Sequence, residues 1–126
     1  MKKLDVVHAI IRNRDKFLIG KRSLSKKSGP GCWATIGGRV ENFESLHDGL
    51  VRECLEEIGI KIKPIKEIAK IDEQEATHYW FEVEIISGEP FLANDENSDL
   101  MWATISVMER LSPLTADDLK ILQLNY

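Results

Sequence analysis

The sequence predicts an α+β fold in which a mixed β-sheet is flanked by helices. Three observations carry this prediction. β-Rich runs fill the first third of the chain, one strongly periodic helical segment follows them, and further β-rich runs precede a helix-forming end. With 126 residues, 43% of them hydrophobic and 30% charged, the chain is long enough for one hydrophobic core, so we expect a single domain over residues 1–126.

The N-terminal part reads as a β-hairpin followed by a polar loop. Residues 4–12 and 17–22 are β-rich, and the polar residues 13–16 between them are typical of a hairpin turn. Residues 23–31, SLSKKSGPG, are rich in Gly, Pro and Ser and include two lysines, which predicts a surface loop. A short strand over residues 32–36 is then expected to run into a turn at two glycines.

The clearest helical signal covers residues 45–58 and stops at Gly59, a residue type that commonly ends helices in a left-handed conformation. A rotation of about 100° per residue places four residues on the face expected to meet the core: Val51, Cys54, Leu55 and Ile58. Glu53, Glu56 and Glu57 fall in a separate arc, which we expect to be exposed. Like charges this close on one helix repel each other, so the cluster requires a positive partner.

The second half of the chain predicts three strands and a closing helix. The strand-forming runs interleave polar and apolar residues, with an irregularity at Pro64. Thr115 is the expected N-cap of the last helix, with Asp117 and Asp118 in its first turn. The expected elements are strands over residues 61–71, 78–86 and 102–105 and a helix over residues 115–124.

The composition argues against several classes of function. A formal net charge of -4 and an isoelectric point of about 5.4 do not suit a protein that holds nucleic acid through a basic surface. No apolar run approaches the roughly 20 residues needed to cross a bilayer, and the N-terminus lacks the pattern of a signal peptide. Cys32 and Cys54 have neither metal-site spacing nor a disulfide framework. We therefore expect a cytoplasmic protein that binds neither nucleic acid nor membranes.

The acidic helix predicts a metal site for a phosphorylated ligand. Hard cations such as Mg²⁺ take oxygen ligands and commonly share protein carboxylates with substrate phosphates. Gly37 and Gly38 let the backbone approach a ligand closely. Arg52 is placed to orient one of the carboxylates through a charge-assisted hydrogen bond.

These residues also resemble a known sequence motif. The order is Gly38, five residues, Glu44, seven residues, Arg52-Glu53, an apolar residue, any residue, Glu56-Glu57, any residue, Gly59 and an apolar residue. This order resembles the complete Nudix box. The opening MKKL, the strand end IIRN and Trp102 are similar to the MutT type of nucleoside-triphosphate pyrophosphohydrolase. The resemblance implies a Nudix-type α/β/α sandwich over nearly the whole chain.

The resemblance implies hydrolysis of a nucleoside diphosphate linked to a further moiety, with Mg²⁺ or Mn²⁺ as cofactor. The metal ligands that it implies are the carboxylates of Glu53, Glu56 and Glu57 and the carbonyl of Gly37. Arg52 is expected to hold Glu53 in place, and Glu44 is expected to brace the junction between the loop and the helix. Two residues depart from the family pattern, Ile36 in place of proline and Cys54 in place of Leu or Ile, and neither removes a ligand.

Members of the family often recruit one more acid from a later loop, as a metal ligand or general base. In the MutT pattern this acid lies six residues before the late tryptophan, which corresponds to Glu96. Asp95 and Asp99 are its rivals in the same polar stretch. The base could instead be Glu53 or Glu56 of the box itself.

Substrate contacts are expected from basic, aromatic and acidic residues around the site. Lys21 and Arg22 end a strand, where they could reach phosphates or simply be exposed. One of the neighbours His78, Tyr79 and Trp80 could stack on a base, although strand spacing assigns two of the three to the core or the surface. Asp117 and Asp118 have a simpler role as charges that cap the last helix. The residues predicted to bind substrate are Arg22, Gly38, Arg39, Tyr79 and Asp117.

The predicted function is Mg²⁺-dependent hydrolysis of a nucleoside or deoxynucleoside triphosphate to the monophosphate and pyrophosphate. One alternative is a nucleotide-sugar hydrolase, because GKR, GGRV and THYW resemble the GDP-mannose branch, which cleaves at the sugar carbon. That branch departs from the usual box, whereas the box here is intact. Another alternative is a non-catalytic Nudix domain that senses a nucleotide, although such a domain would be expected to lose box carboxylates. The resemblance also implies that two chains can pair as a homodimer.

Overall fold

The computed structural model describes residues 3–26 and 29–126, so part of the MKKL stretch and the second lysine of the SLSKKSGPG loop lie outside the described residues. In chain order, the strands and helices are β1 (Leu4–Asn13), β2 (Lys16–Arg22), β3 (Trp33–Ala34), β4 (Ile36–Arg39), α1 (Leu46–Ile58), β5 (Lys61–Asp72), β6 (Ala76–Ser87), β7 (Asn97–Thr104), α2 (Ile105–Met108) and α3 (Ala116–Asn125).

The sheet is mixed, as the sequence predicts. Its central path has the order β3-β2-β1-β6-β5, with β4 added on β1 and β7 added on β2. β1 and β6 run parallel, and the other paired strands of the described residues run antiparallel. The predicted hairpin is formed by β1 and β2, with Asn13 opposite Lys16. β1 therefore lies at the centre of the sheet.

The hydrophobic core has two halves, one on each face of the sheet. Val7, Ala9 and Ile11 of β1 pack with α1, whereas Ile10 packs on the other face with α2 and α3. This alternation follows from the two-residue period of a strand that is buried on both sides. The α/β/α sandwich predicted from the resemblance is thereby confirmed.

α1 has the extent and the C-terminal Gly59 that the sequence predicts, and its N-cap is Ser45. The hydroxyl of Ser45 accepts a hydrogen bond from the backbone N–H of Asp48 at 3.1 Å. At the other end Gly59 adopts the left-handed conformation, with φ of 67°, and its N–H donates to the carbonyl of Leu55. Both ends are therefore determined by local sequence signals.

The predicted core face of α1 is wrong by part of a turn. Leu50, Cys54 and Ile58 are fully buried, while Leu55 is 56% exposed. These three buried residues are spaced four apart, so the buried stripe is centred on Cys54. Glu57, three residues after Cys54, lies at the border of this stripe and is buried, whereas Leu55 lies outside the stripe. Glu57 is only 6% exposed, which corrects the expectation that all three carboxylates face solvent.

The two glycines do not form a turn. Gly37 and Gly38 lie inside β4, opposite His8 and Val7 of β1. A Cβ at position 37 would lie 1.9 Å from the carbonyl oxygen of Val7, so only glycine allows this pairing. The backbone of β4 consequently runs directly beneath the cleft described below.

The last strand and the helices differ from the prediction in their extent. β7 begins at Asn97, because residues predicted as loop pair with β2, and it ends at Thr104. Ile105, predicted to end a strand, starts the short helix α2, whose N-cap Thr104 accepts a hydrogen bond from the N–H of Val107. α3 begins after Thr115 as predicted. Among the described residues, no helix combines the length and apolar character needed to span a membrane.

Candidate active site

A cleft of about 830 Å³ runs between the sheet and the elements packed against it. β1, β4 and β6 contribute to its lining, together with α1, the loop before β7 and the start of α3. Because α1 and α3 pack on opposite faces of the sheet, the cleft collects side chains from both layers. Its α1 part contains Glu53 and Glu56, and its α3 part contains His78, Trp80 and Asp118.

Arg52 connects the carboxylates of the α1 part. Its Nε and Nη2 donate to the two oxygens of Glu44 at 2.7 and 2.9 Å, a bidentate pair. Its Nη1 lies 3.1 Å from Glu53 Oε1 and 3.1 Å from Glu56 Oε2. The hydrogen bonds that Arg52 donates to Glu44 lower the pKa of Glu44 and raise the pKa of Arg52. The predicted contact of Arg52 with Glu53 is present in this geometry.

Glu44 also fixes the start of the helix, where it was expected to brace the junction. Its Oε1 accepts from the backbone N–H of Glu41 at 2.9 Å, in the loop between β4 and α1. Arg52 donates in addition to the backbone carbonyl of Arg39 at 3.1 Å. The strand end, the loop and the helix are therefore tied together by one carboxylate and one guanidinium group.

Glu57 is a buried carboxyl group with one unused oxygen. Its Oε1 accepts from the side-chain amide of Asn97 at 3.2 Å, whereas Oε2 has no hydrogen-bond partner among the described residues. Burial, followed by the neighbouring Glu53 carboxyl, raises the pKa of Glu57 to about 9, and the bond from Asn97 acts in the opposite direction. Ionisation of this carboxyl group is therefore costly unless a cation faces it.

The donors in this part of the cleft fit a hard divalent cation. In residues 3–26 and 29–126, no three His, Cys, Asp or Glu side chains converge on a point that a metal ion could occupy as they stand. Arg52 holds Glu53 and Glu56, and it would have to share them with the ion. The orphaned oxygen of Glu57 supports the fit, because a buried acceptor without a partner is destabilising and a cation would satisfy it.

Glu96 is the acid of the later loop that lines the cleft, together with Asn94. Its carboxylate is paired with Lys26 from the β2–β3 loop, and its backbone N–H donates to the side-chain oxygen of Asn94 at 3.0 Å. Asp99 lies in β7 opposite Lys21, and neither Asp95 nor Asp99 lines the cleft. The geometry thus favours Glu96 over its two rivals.

Asp118 organises the α3 part of the cleft, a role that the sequence did not reveal. It is 2% exposed and accepts four hydrogen bonds. The donors are the backbone N–H and hydroxyl of Thr35, the indole N–H of Trp80 and the hydroxyl of Thr115. Asp118 therefore does more than contribute the predicted charge to the first turn of α3. Thr115 occupies the predicted N-cap position, but its hydroxyl donates to Asp118 and makes no side-chain capping bond. The Thr-x-x-Asp spacing was the available signal.

The hydrogen bonds of Asp118 also determine which ring nitrogen of His8, in β1, carries a proton. The hydroxyl of Thr35 gives its proton to Asp118, so it accepts from His8 Nδ1 at 3.2 Å. His8 Nε2 is 2.9 Å from Nδ1 of His78, whose Nε2 faces Glu73 at 3.2 Å. The ring of His8 stacks on Trp80 with centroids 4.4 Å apart. Burial is the main cause that lowers the pKa of His8 to about 4.

Four of the five residues predicted to bind substrate line the cleft: Arg22, Gly38, Arg39 and Asp117. Tyr79 does not, because it points to the other face of β6, where it packs with the α1 half of the core. Its neighbours His78 and Trp80 take the cleft side instead. Lys21 is likewise absent from the lining. Asp117 is exposed, in contrast to Asp118 beside it.

The architecture and the acidic helix define a Nudix-type domain, and sequence comparison agrees. The NUDIX domain family model matches residues 1–124, and the chain belongs to this family. Its fold is also similar to the crystal structure of a MutT NUDIX hydrolase from Burkholderia pseudomallei, with a TM-score of 0.87, 22% sequence identity and full coverage of both chains. At that identity the likeness concerns the fold.

Curated relatives of different chemistry share part of this sequence. A CTP pyrophosphohydrolase of Escherichia coli (strain K12) is 43% identical over 61 residues, which are 48% of this chain and 44% of the relative. An isopentenyl-diphosphate Delta-isomerase of Shigella flexneri is 36% identical over 56 residues, 44% of this chain and 31% of the relative. The matched segments thus span less than half the length of these curated relatives.

Proposed function

We propose that this protein is a divalent-metal-dependent hydrolase of phosphoanhydrides. Its preferred substrates are nucleoside or deoxynucleoside triphosphates, which it cleaves to the monophosphate and pyrophosphate. The observation that supports this proposal best is the buried Glu57, which neighbours the cleft residue Glu53 and keeps one carboxyl oxygen without a hydrogen-bond partner among the described residues. A cluster of carboxylates such as this one is suited to binding a metal ion together with a phosphate, whereas it does not stabilise the fold.

The metal ions would be held by oxygen atoms of α1, β4 and the loop before β7: the carboxylates of Glu53, Glu56, Glu57 and Glu96 and the carbonyl of Gly37. When bound, Mg²⁺ or Mn²⁺ neutralises the pyrophosphate and lowers the pKa of the attacking water. Arg52 keeps Glu53 and Glu56 in place through its hydrogen bonds. The similarity to a CTP pyrophosphohydrolase supports a nucleoside triphosphate as the substrate.

The chain's own residues carry out the remaining tasks. Arg22 and Arg39 line the cleft, and they supply positive charge to the phosphates that the carboxylates repel. Glu96, or a glutamate of the box, accepts the proton of the attacking water. The hydroxyl adds to the α- or β-phosphorus, the P–O bond of the α–β bridge breaks, and the leaving group, pyrophosphate or the nucleoside monophosphate respectively, departs with the bonding electron pair.

The α3 part of the cleft suits the nucleoside. The rings of His8, His78 and Trp80 form one contiguous group that lies beside the cleft, and Asp117 offers an exposed carboxylate at its rim. Flat rings pack favourably against partly exposed rings such as those of His8 and His78, whereas Trp80 is buried and stacks on His8. This region and the acidic region share one cleft, so a single ligand can contact both.

A nucleotide panel in ¹⁸O-labelled water tests the proposal. Nucleoside triphosphates, nucleotide sugars and isopentenyl diphosphate are incubated with Mg²⁺, with Mn²⁺ and with a chelator. We expect metal-dependent release of monophosphate and pyrophosphate, with the label on a phosphorus-containing product. A label on a sugar hydroxyl would assign the protein to the nucleotide-sugar class, and isomerisation without hydrolysis would assign it to the isomerase chemistry. Tight nucleotide binding without turnover of any compound would indicate a sensor.

A further inference from the structure

Among the described residues, the one side-chain N–H group that donates to the carboxyl group of Glu57 comes from another layer of the fold. Nδ2 of Asn97, the first residue of β7, lies 3.2 Å from Glu57 Oε1. Asn97 is itself only 7% exposed. A buried amide that meets a buried carboxyl group is satisfied by it, and it leaves the second oxygen of Glu57 available.

A glycine of β2 makes room for this amide. A Cβ at position 20 would lie 2.6 Å from Oδ1 and 2.8 Å from Cγ of Asn97, so any side chain there would displace the amide. The register of β2 and β7 shifts between Lys21 and Arg22, directly beside Asn97. Gly20 and this irregularity together let a side chain of β7 reach α1 beside β2.

We propose that Asn97 is a positioning residue for Glu57, and that Gly20 supplies the space it needs. By holding Oε1, Asn97 keeps Oε2 of Glu57 available, next to the cleft residue Glu53, as a ligand for a divalent cation. This inference rests on the proposed function, because it assigns Asn97 a task only if Glu57 binds metal. Partners of metal ligands orient those ligands, and their loss commonly lowers metal affinity about 10- to 100-fold.

Mn²⁺ titration of the nucleotide-free protein, followed by the electron paramagnetic resonance signal of free Mn²⁺, tests this role. Asn97→Leu keeps the side-chain volume and removes the donor. We expect its Kd for Mn²⁺ to rise at least about tenfold and its unfolding midpoint to fall modestly, because one buried hydrogen bond is lost. Asn13→Leu, an exposed asparagine at the end of β1 outside the cleft, is the matched control and should keep the wild-type affinity.

Gly20→Ala tests the same inference while Asn97 itself remains unchanged in the sequence. It should weaken Mn²⁺ binding by a similar factor, because the new methyl group occupies the place of Asn97. In the double variant Gly20→Ala/Asn97→Leu, affinity should fall no further than in Asn97→Leu alone, since both changes remove one interaction. Additive losses would contradict the proposal. Gly20→Ala also decides the matter if Asn97→Leu does not fold.

The outcomes separate this inference from the proposed function. If the wild type binds Mn²⁺, Glu57→Gln loses it and Asn97→Leu binds like the wild type, the positioning role is refuted and the metal site stands. If the wild type binds no Mn²⁺ and hydrolyses no nucleotide, both the site and the role of Asn97 are refuted.

Discussion

The carboxylate of Glu53 occupies the space beside Gly38 that a side chain at position 38 would need. A Cβ on Gly38 would lie 2.6 Å from Cδ of Glu53 and 2.7 and 2.8 Å from its two oxygens. The glycine of β4 and the glutamate of α1 are therefore one packing unit, although they are distant in sequence. Their contact places the carboxylate against the backbone of β4.

Gly38→Ala should abolish most of the activity while the protein still folds. The new methyl group meets only the end of a flexible side chain, so Glu53 can move away at little cost in stability. A displaced Glu53 no longer supports the metal, and we expect turnover to fall by roughly two orders of magnitude. Steady-state kinetics together with thermal unfolding measure both effects. Wild-type turnover would show that Glu53 need not lie there.

Gly37→Ala is the matched comparison at the neighbouring glycine. Its methyl group would meet the backbone carbonyl of Val7 at 1.9 Å, and backbone cannot give way without breaking the β1–β4 pairing. We therefore expect the free energy of unfolding to fall by roughly 2 to 4 kcal/mol, enough to reduce the yield of folded protein. Equal stability of the two alanine variants would contradict this distinction.

Glu57→Gln should leave stability nearly unchanged and lower turnover by roughly two to three orders of magnitude. Burial and the Glu53 carboxyl raise the pKa of Glu57 to about 9, so without metal this group is largely neutral at pH 7 and glutamine resembles it. Turnover falls because an amide is a poor ligand for a hard cation. Glu67→Gln, at an exposed position of β5, controls for the loss of one charge. Stability and kinetics are measured on both variants.

Asp118→Asn and Asp117→Asn make the same chemical change at adjacent residues with opposite expected results. Asp118 accepts four hydrogen bonds, and an amide cannot accept them all, so we expect a loss of about 3 kcal/mol in the free energy of unfolding. Asp117 is exposed, so its variant should keep full stability and alter only KM for the nucleotide. Denaturant unfolding of the pair measures the difference. If the Asp118→Asn protein were as stable as the Asp117→Asn protein, the organising role of Asp118 would be contradicted.

Protonation of His8 should destabilise the protein in mild acid. Burial lowers the pKa of His8 from 6.5 to about 4, so the unfolded chain takes up a proton at a higher pH than the folded protein. The stability provided by neutral His8 is complete above pH 6.5 and is lost as pH falls toward 4, to a total of about 3 kcal/mol. Denaturant unfolding at several pH values should show a shallower decline for His8→Phe than for the wild type. Parallel curves would contradict the assignment.

Local sequence signals predicted the parts of the site that a single segment forms. The extent of α1 and the grouping of Glu53 and Glu56 followed from Gly59 and a 3.6-residue period. The burial of Glu57 did not, because periodicity gives a face but not its exact centre, which packing against the sheet decides. A small error in the predicted direction of the buried face therefore assigned Leu55 to the core and Glu57 to the surface, which is the reverse of what the structure shows.

Residues whose roles depend on distant strands escaped prediction. Asn97 meets Glu57 only because β7 pairs with β2 and passes Gly20. Asp118 meets Thr35 and Trp80 only when α3 packs on the sheet. The sequence predicts Tyr79 as a substrate contact in place of His78 and Trp80, because alternation alone does not say which face of β6 borders the cleft.

The central claim is that the carboxylates of α1 bind a divalent cation together with the phosphates of a nucleotide. Anomalous diffraction from a crystal that contains Mn²⁺ and a non-hydrolysable nucleoside triphosphate tests it most directly. A manganese peak in direct contact with Glu53 and Glu57 and with a phosphate oxygen is the predicted result. An ordered nucleotide with no manganese peak at these carboxylates would contradict the account.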